Sequence, residues 1–134
     1  ERTFEEVAGY SEIVTLKDIR FESYCEHHLA PIIGIVHVAY IPTERVVGIS
    51  KIARLVDAFS KRLQVQEKMT SQIANTLQSV LKPLGAAVLV EGDHHCMCTR
   101  SVHKTTSTMI SSAFTGDFKK KQELKNEFYK IVGK

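Results

Sequence analysis

Residues 65–90 read VQEKMTSQIANTLQSVLKPLGAAVLV, and their reading decides the class of fold. Val65, Met69, Ile73, Leu77 and Leu81 recur every four residues, the period of a helix with one buried face. Pro83 and Gly85 stop that helix, since proline lacks the N–H that would continue the ladder and glycine favours a helix end. Ala86 to Val90 follows as a short apolar run, the pattern of a buried strand. A helix that feeds straight into a buried strand predicts α and β layers within one unit.

Working outward, a second helix is expected upstream from about Ser50, a good N-cap, with Ile52, Leu55, Val56 and Phe59 on one face. Before it, Ile32 to Ile41 is an apolar strand punctuated by Pro31 and Pro42. Glu12 to Glu22 alternates through Ile13, Val14, Leu16, Ile19 and Phe21, a strand with an irregularity near Lys17 and Asp18. Downstream, Thr99 to Phe114 is rich in Thr, Ser and Val and suits a fourth strand. A last helix runs from about Asp117 to Val132 with Leu124, Phe128 and Ile131 at helical spacing. The order is strand, strand, helix, helix, strand, strand, helix: an α+β unit of antiparallel strand pairs flanking a helical pair, as a single domain over 1–134. Four strands under one helical layer leave two sheet edges, and closing several copies into a barrel removes them. A homo-oligomer is therefore expected.

A length of 134 residues is ample for one domain and short for two. Hydrophobic residues at 43% and charged residues at 25% are ordinary for a globular protein. No apolar run is long enough to span a bilayer, and no signal peptide is apparent, so no membrane partner is expected. Net charge is +3, much of it from Lys119, Lys120, Lys121, Lys125, Lys130 and Lys134. With Glu123 and Glu127 interspersed and no Trp, these lysines read as a solvated helix face and not as a nucleic-acid patch. Three cysteines cannot all pair internally, which favours a reducing, cytoplasmic setting with thiolates kept for metal. The first residue is Glu1, with no initiator Met, so further chain is expected before it.

The chemistry concentrates in Cys25-Glu26-His27-His28 and His94-His95-Cys96-Met97-Cys98. Thiolate and imidazole suit zinc, and a catalytic zinc takes three protein ligands and keeps one position open. Cys25 and His28 stand three apart after a strand, with His27 an alternative ligand; Cys96 is the natural third, with Cys98 its rival. Glu26 suits a partner that orients a ligand imidazole. Ser50, Lys51 and Arg54 sit at a helix start, where free N–H groups and the dipole favour anions. On the residues alone, an N-cap serine followed by two solvated cations is the favoured reading. Gln66 and Glu67 open the next helix, where a carboxylate either accepts paired N–H donors such as a guanine edge or merely complements the dipole. Arg100 and Lys104 either extend an anion site or face solvent. His37 and His103 lie in strand runs and read as structural.

These motifs, in order and at their spacing, resemble GTP cyclohydrolase I: FESYCEHHL from Phe21, then HVAYIP, GISKIARLV, RLQVQEKMTSQIA and HHCM, across roughly Ile19 to Lys104. The resemblance implies the tunnelling fold (T-fold), in which strands of several subunits close a barrel with active sites between subunits, commonly in a homodecamer. It implies Cys25, His28 and Cys96 as zinc ligands, and His27 and His94 as acid/base histidines with Ser50 assisting. Lys51, Arg54 and Arg100 then contact the ribose and triphosphate of GTP, and Gln66 and Glu67 hold its guanine. The implied reaction takes GTP and water to 7,8-dihydroneopterin triphosphate and formate. Where family members usually have Arg-Gly-Val, this chain has Arg100-Ser101-Val102, and the family's N-terminal helical region is missing before Glu1. Two other readings compete. A nitrile reductase of the same fold needs a cysteine nucleophile and a nicotinamide cofactor. A structural zinc module needs a fourth protein ligand.

Overall fold

The computed structural model describes residues 12–25, 31–44, 48–61, 63–95 and 106–133. In chain order the elements are β1 (Val14–Cys25), β2 (Pro31–Ile41), α1 (Ile49–Ser60), β3 (Leu63–Gln64), α2 (Gln66–Leu81), β4 (Gly85–His95), β5 (Thr106–Thr115), α3 (Gly116–Lys120) and α4 (Gln122–Val132). The strands form one sheet in the order β3-β1-β2-β4-β5. The β1–β2, β2–β4 and β4–β5 pairings are antiparallel, and the short β3 pairs parallel to β1.

Strand alternation sorts the core onto two faces. Ile32, Val36, Val38 and Tyr40 of β2, with Ala86, Val88 and Val90 of β4, pack under Ile52 and Val56 of α1 and Met69, Ile73, Leu77 and Leu81 of α2. Each such side chain contributes about 1.5–3 kcal/mol when fully buried. The intervening residues Ala39, Ile41, Ala87 and Leu89 face the other way, onto Phe118, Phe128 and Val132. The sheet therefore carries helices on both faces, whereas one helical layer was expected. Only an amphipathic α4 following a sharp turn could reach the second face, and Gly116 makes that turn. Its φ of 57° is left-handed, and a Cβ there would collide with the Leu84 carbonyl.

The expected irregularity in the first strand is a bulge. Register shifts between Leu16 and Ile19, Asp18 adopts a φ of 61°, and its N–H donates to His37 Nδ1 at 3.1 Å. With Nδ1 accepting, the ring hydrogen sits on Nε2, 3.4 Å from Glu91 Oε2. His37, 2% exposed, is thus a structural histidine.

Three boundaries differ from the sequence reading. Gly48, not Ser50, occupies the N-cap of α1, so Ser50 is its second helical residue. β4 continues past Val90 to His95; of the expected fourth strand, 106–114 are strand and 99–105 lie outside the described residues. The expected last helix begins at Gly116 and breaks at Lys121, whose φ of −115° and ψ of 115° are extended. No helix of the described residues is long and apolar enough to cross a membrane.

The sheet has two distinct ends. At the first, here the cysteine end, Tyr24 pairs with Pro31, Ile32 with His94 and His95 with Thr106. At the other, the lysine end, Val14 pairs with Tyr40, Ile41 with Gly85 and Ala86 with Thr115. α2 runs from the cysteine end to the lysine end, where the Leu84 N–H donates to the Ile41 carbonyl at 2.9 Å and the Thr43 hydroxyl to the Lys82 carbonyl at 3.0 Å. α1 runs the opposite way. Its Lys51 and Ile52 border a groove with Leu77, Val80 and Leu81 near the end of α2, and the residues after it pair with Cys25.

Candidate active site

The cysteine end is assembled by strand pairing. β3 lies against the end of β1, with Leu63 opposite Tyr24 and Gln64 opposite Cys25. His94 pairs with Ile32 on one side and Ser107 on the other. The main chains of Cys25 and His94 are therefore separated by the single strand β2, about 10 Å at the usual strand spacing. The side chains of Cys25 and His94, and the whole of His27, His28, Cys96 and Arg100, lie outside the described residues. Glu26, His103 and Lys104 lie outside them too. Among the described residues no three His, Cys, Asp or Glu side chains come together to hold a metal ion.

The first turn of α2 stands at this same end. Gln66 is 3% exposed, although a polar residue opening a helix normally faces water. Its Nε2 donates to the Val90 carbonyl (3.3 Å), the Met109 carbonyl (2.9 Å) and Ser111 Oγ (3.0 Å). The Thr70 hydroxyl bonds the Gln66 carbonyl at 2.8 Å and lies 2.7 Å from Ser111 Oγ. Gly92 makes room for the amide: a Cβ there would meet Gln66 Oε1 at 2.5 Å and Ile32 Cγ2 at 3.0 Å. Glu67, the next residue, is exposed in the first turn, where its charge complements the helix dipole.

Ser50, Lys51 and Arg54 occupy the other end. All three are exposed at the start of α1, which has no acidic residue in its first turn. Beside them lies an apolar groove of about 200 Å³ between α1 and α2, lined by Lys51, Ile52, Leu55, Thr76, Leu77, Val80 and Leu81. α2, 16 residues and about 24 Å long, runs from Gln66 at the cysteine end to this groove at the lysine end. Within one chain the structure thus places the main chains of Cys25 and His94 at the same end as Gln66 and Glu67, and Ser50 and Lys51 near the other end.

Sequence reasoning missed Ser111, Thr70 and Gly92. A signal for one of them, Thr70, existed. Positions 66, 69, 70, 73, 74, 77 and 81 form one continuous stripe at helical spacing, and all are buried. Gln66 and Thr70 extend the apolar stripe with polar groups, which marks them as buried hydrogen-bonding residues.

A sheet in the order β3-β1-β2-β4-β5 with helices on both faces matches the archaeosine synthase QueF-Like in its apo form with a TM-score of 0.53, covering 74% of this chain and 92% of that one at 22% identity. The chain is accordingly an α+β protein of the T-fold class. Its sequence matches the GTP cyclohydrolase I family over residues 1–133. It is 55% identical over 130 residues, 97% of its length, to the GTP cyclohydrolase 1 of Brucella canis, and equally so to that of Brucella melitensis biotype 1. The chain belongs to the GTP cyclohydrolase I family. It spans 61% of the length of those relatives.

Proposed function

We propose that this chain carries the catalytic part of a zinc-dependent GTP cyclohydrolase I, which takes GTP and water to 7,8-dihydroneopterin triphosphate and formate. The supporting observation is the cysteine end itself. The strand ending at Cys25, the strand carrying His94 and the first turn of α2 finish side by side there, and the relatives named GTP cyclohydrolase 1 share 55% of the aligned residues.

The donor set suits zinc. Two thiolates and an imidazole, from Cys25, Cys96 and His28, are ligands that zinc favours, and they leave a coordination position open. His28 follows Cys25 by three residues and Cys96 follows His94 by two, reaches of at most about 11 Å and 7 Å. A zinc ion held there supplies a Lewis acid that lowers the pKa of a water to near neutrality.

The chain's own groups do the rest. His94 delivers a proton to purine N7 as the imidazole ring opens at C8, a task suited to a side chain that titrates near neutral pH. His27 moves protons at the ribose as its ring opens for the Amadori rearrangement that precedes pterin closure, with Ser50 assisting. Glu67, next to Gln66, accepts hydrogen bonds from the guanine N1–H and 2-amino group. Lys51, Arg54 and Arg100 neutralise the triphosphate.

Because Ser50, Lys51 and Arg54 stand at the start of α1, with much of the length of α2 between the groove beside Lys51 and Gln66, we propose that a neighbouring copy supplies them. The sheet offers a route. β5 has no partner on its outer side among the described residues, and β3 covers β1 only at Tyr24 and Cys25. Pairing of such edges between copies closes a barrel, consistent with a homodecamer. A cytoplasmic location accompanies this reading, supported by the odd number of cysteines.

Incubation with GTP tests the activity. Formate and a product that becomes a fluorescent pterin on oxidation are expected from protein carrying one zinc per chain. Fully zinc-loaded, folded oligomer that leaves GTP intact contradicts it.

A further inference from the structure

We infer that Ser111, acting with Thr70 and Gln66, is a positioning residue that sets the bearing of Glu67 toward the purine; this rests on the guanine-binding role proposed for Glu67. The Gln66 amide is oriented without ambiguity. Two main-chain carbonyls, of Val90 and Met109, lie within 3.3 Å of its outer atom, and carbonyls only accept, so that atom is the nitrogen.

The amide nitrogen carries two hydrogens and has three acceptors around it, Ser111 Oγ at 3.0 Å being the third. Its donors are thus committed to the β4–β5 hairpin and none remains for a substrate. The Ser111 hydroxyl, having accepted from Gln66, donates onward to Thr70 Oγ1 at 2.7 Å. Thr70 in turn donates to the Gln66 carbonyl at 2.8 Å. The three residues close a ring in which every hydroxyl both gives and receives.

This ring holds α2 at positions 66 and 70, one helical turn apart, and so fixes the rotation of the turn that carries Glu67. It holds that turn against the strands that also position His94: Ser111 pairs with Val90, four residues before His94 on β4. Gln66 therefore serves the purine by anchoring its neighbour and not by touching the base.

The test compares Ser111→Ala and Ser111→Thr with wild type in the full oligomer, using GTP and inosine triphosphate, which lacks the 2-amino group. Loss of one such hydrogen bond is worth about two- to tenfold. Ser111→Ala should raise KM for GTP by about that factor, change kcat less than KM, and reduce the preference for GTP over inosine triphosphate. Ser111→Thr, which keeps the hydroxyl, should restore both values. Amide exchange should accelerate over residues 66–73 in Ser111→Ala and return in Ser111→Thr. Equal losses with both nucleotides, or unchanged exchange in this turn, overturn the inference. Wild-type protein that releases no formate overturns the proposed activity instead, and the exchange measurement still decides whether the ring anchors α2.

Discussion

The helices α1 and α2 lie on the same face of one sheet, yet their first turns prepare opposite chemistries. α1 starts at the lysine end behind Gly48, with Lys51 and Arg54 exposed and no acid to balance its dipole. α2 starts at the cysteine end with Gln66 buried and Glu67 exposed. Free N–H groups and a positive dipole end attract anions, and two added cations strengthen that attraction. At α2 the dipole is already answered by a carboxylate, which is left to accept hydrogen bonds. On the proposed function, one turn serves phosphates and the other N–H donors, the two halves of a purine nucleoside triphosphate. Their placement at opposite ends of α2 is the reason we propose that two chains share each nucleotide.

The comparison can be broken from either side. The largest effect is expected at the cysteine end, from Cys96→Ala. Zinc content measured by elemental analysis should fall to background and formate release should become undetectable, with the oligomer intact by light scattering. His94→Ala should keep its zinc and lose about 10²–10⁴-fold in kcat, the usual worth of a general acid. Zinc loss in that variant would mean that His94, and not His28, is a ligand.

At the lysine end the expected effects are smaller and fall on binding. If Lys51 and Arg54 bind phosphate as proposed, Lys51→Ala and Arg54→Ala each remove a charge-assisted hydrogen bond worth about 1.5–3 kcal/mol, so KM for GTP should rise roughly 10- to 100-fold. Lys61 sharpens the contrast. It caps the other end of α1 and pairs with Asp57 at 3.6 Å, with both side chains about two-thirds exposed (69% and 65%). Such a surface pair is worth under about 0.5 kcal/mol, so Lys61→Ala should leave KM and melting temperature nearly unchanged. If Lys61→Ala and Lys51→Ala raise KM equally, the effect is one of overall charge and the lysine end has no special role.

The parts of the fold that follow from side-chain period were readable in advance. Met69, Ile73, Leu77 and Leu81 are buried as their four-residue spacing requires, and the bulge at Asp18 falls where the alternation of the first strand slips. The errors have physical causes. β3 has two residues, too few to show any period, and exists because it pairs with Tyr24 and Cys25. The break at Lys121 involves neither proline nor glycine, so nothing local announces it. The second helical layer depends on Phe118 and Phe128 meeting Ala39, Ile41, Ala87 and Leu89, contacts that span most of the chain. In the candidate site, residue types suggested the chemistry, but only the fold showed that the cationic turn and the end of the strand carrying Cys25 stand apart. Gln66 shows a further limit: its neighbours in sequence identify a helix start, while its burial is decided by carbonyls on β4 and β5.

Subunit complementation tests most directly whether two copies build each site. Cys96→Ala and Arg54→Ala should each be severely impaired alone, the first at the cysteine end and the second at the lysine end. Co-assembled in equal amounts, random mixing pairs an intact cysteine end with an intact lysine end from another chain in roughly a quarter of sites. Formate release should therefore recover to about that fraction of wild type at subsaturating GTP. A mixture that shows only the averaged activity of the two separate variants would contradict the account and place both ends of the site within one chain.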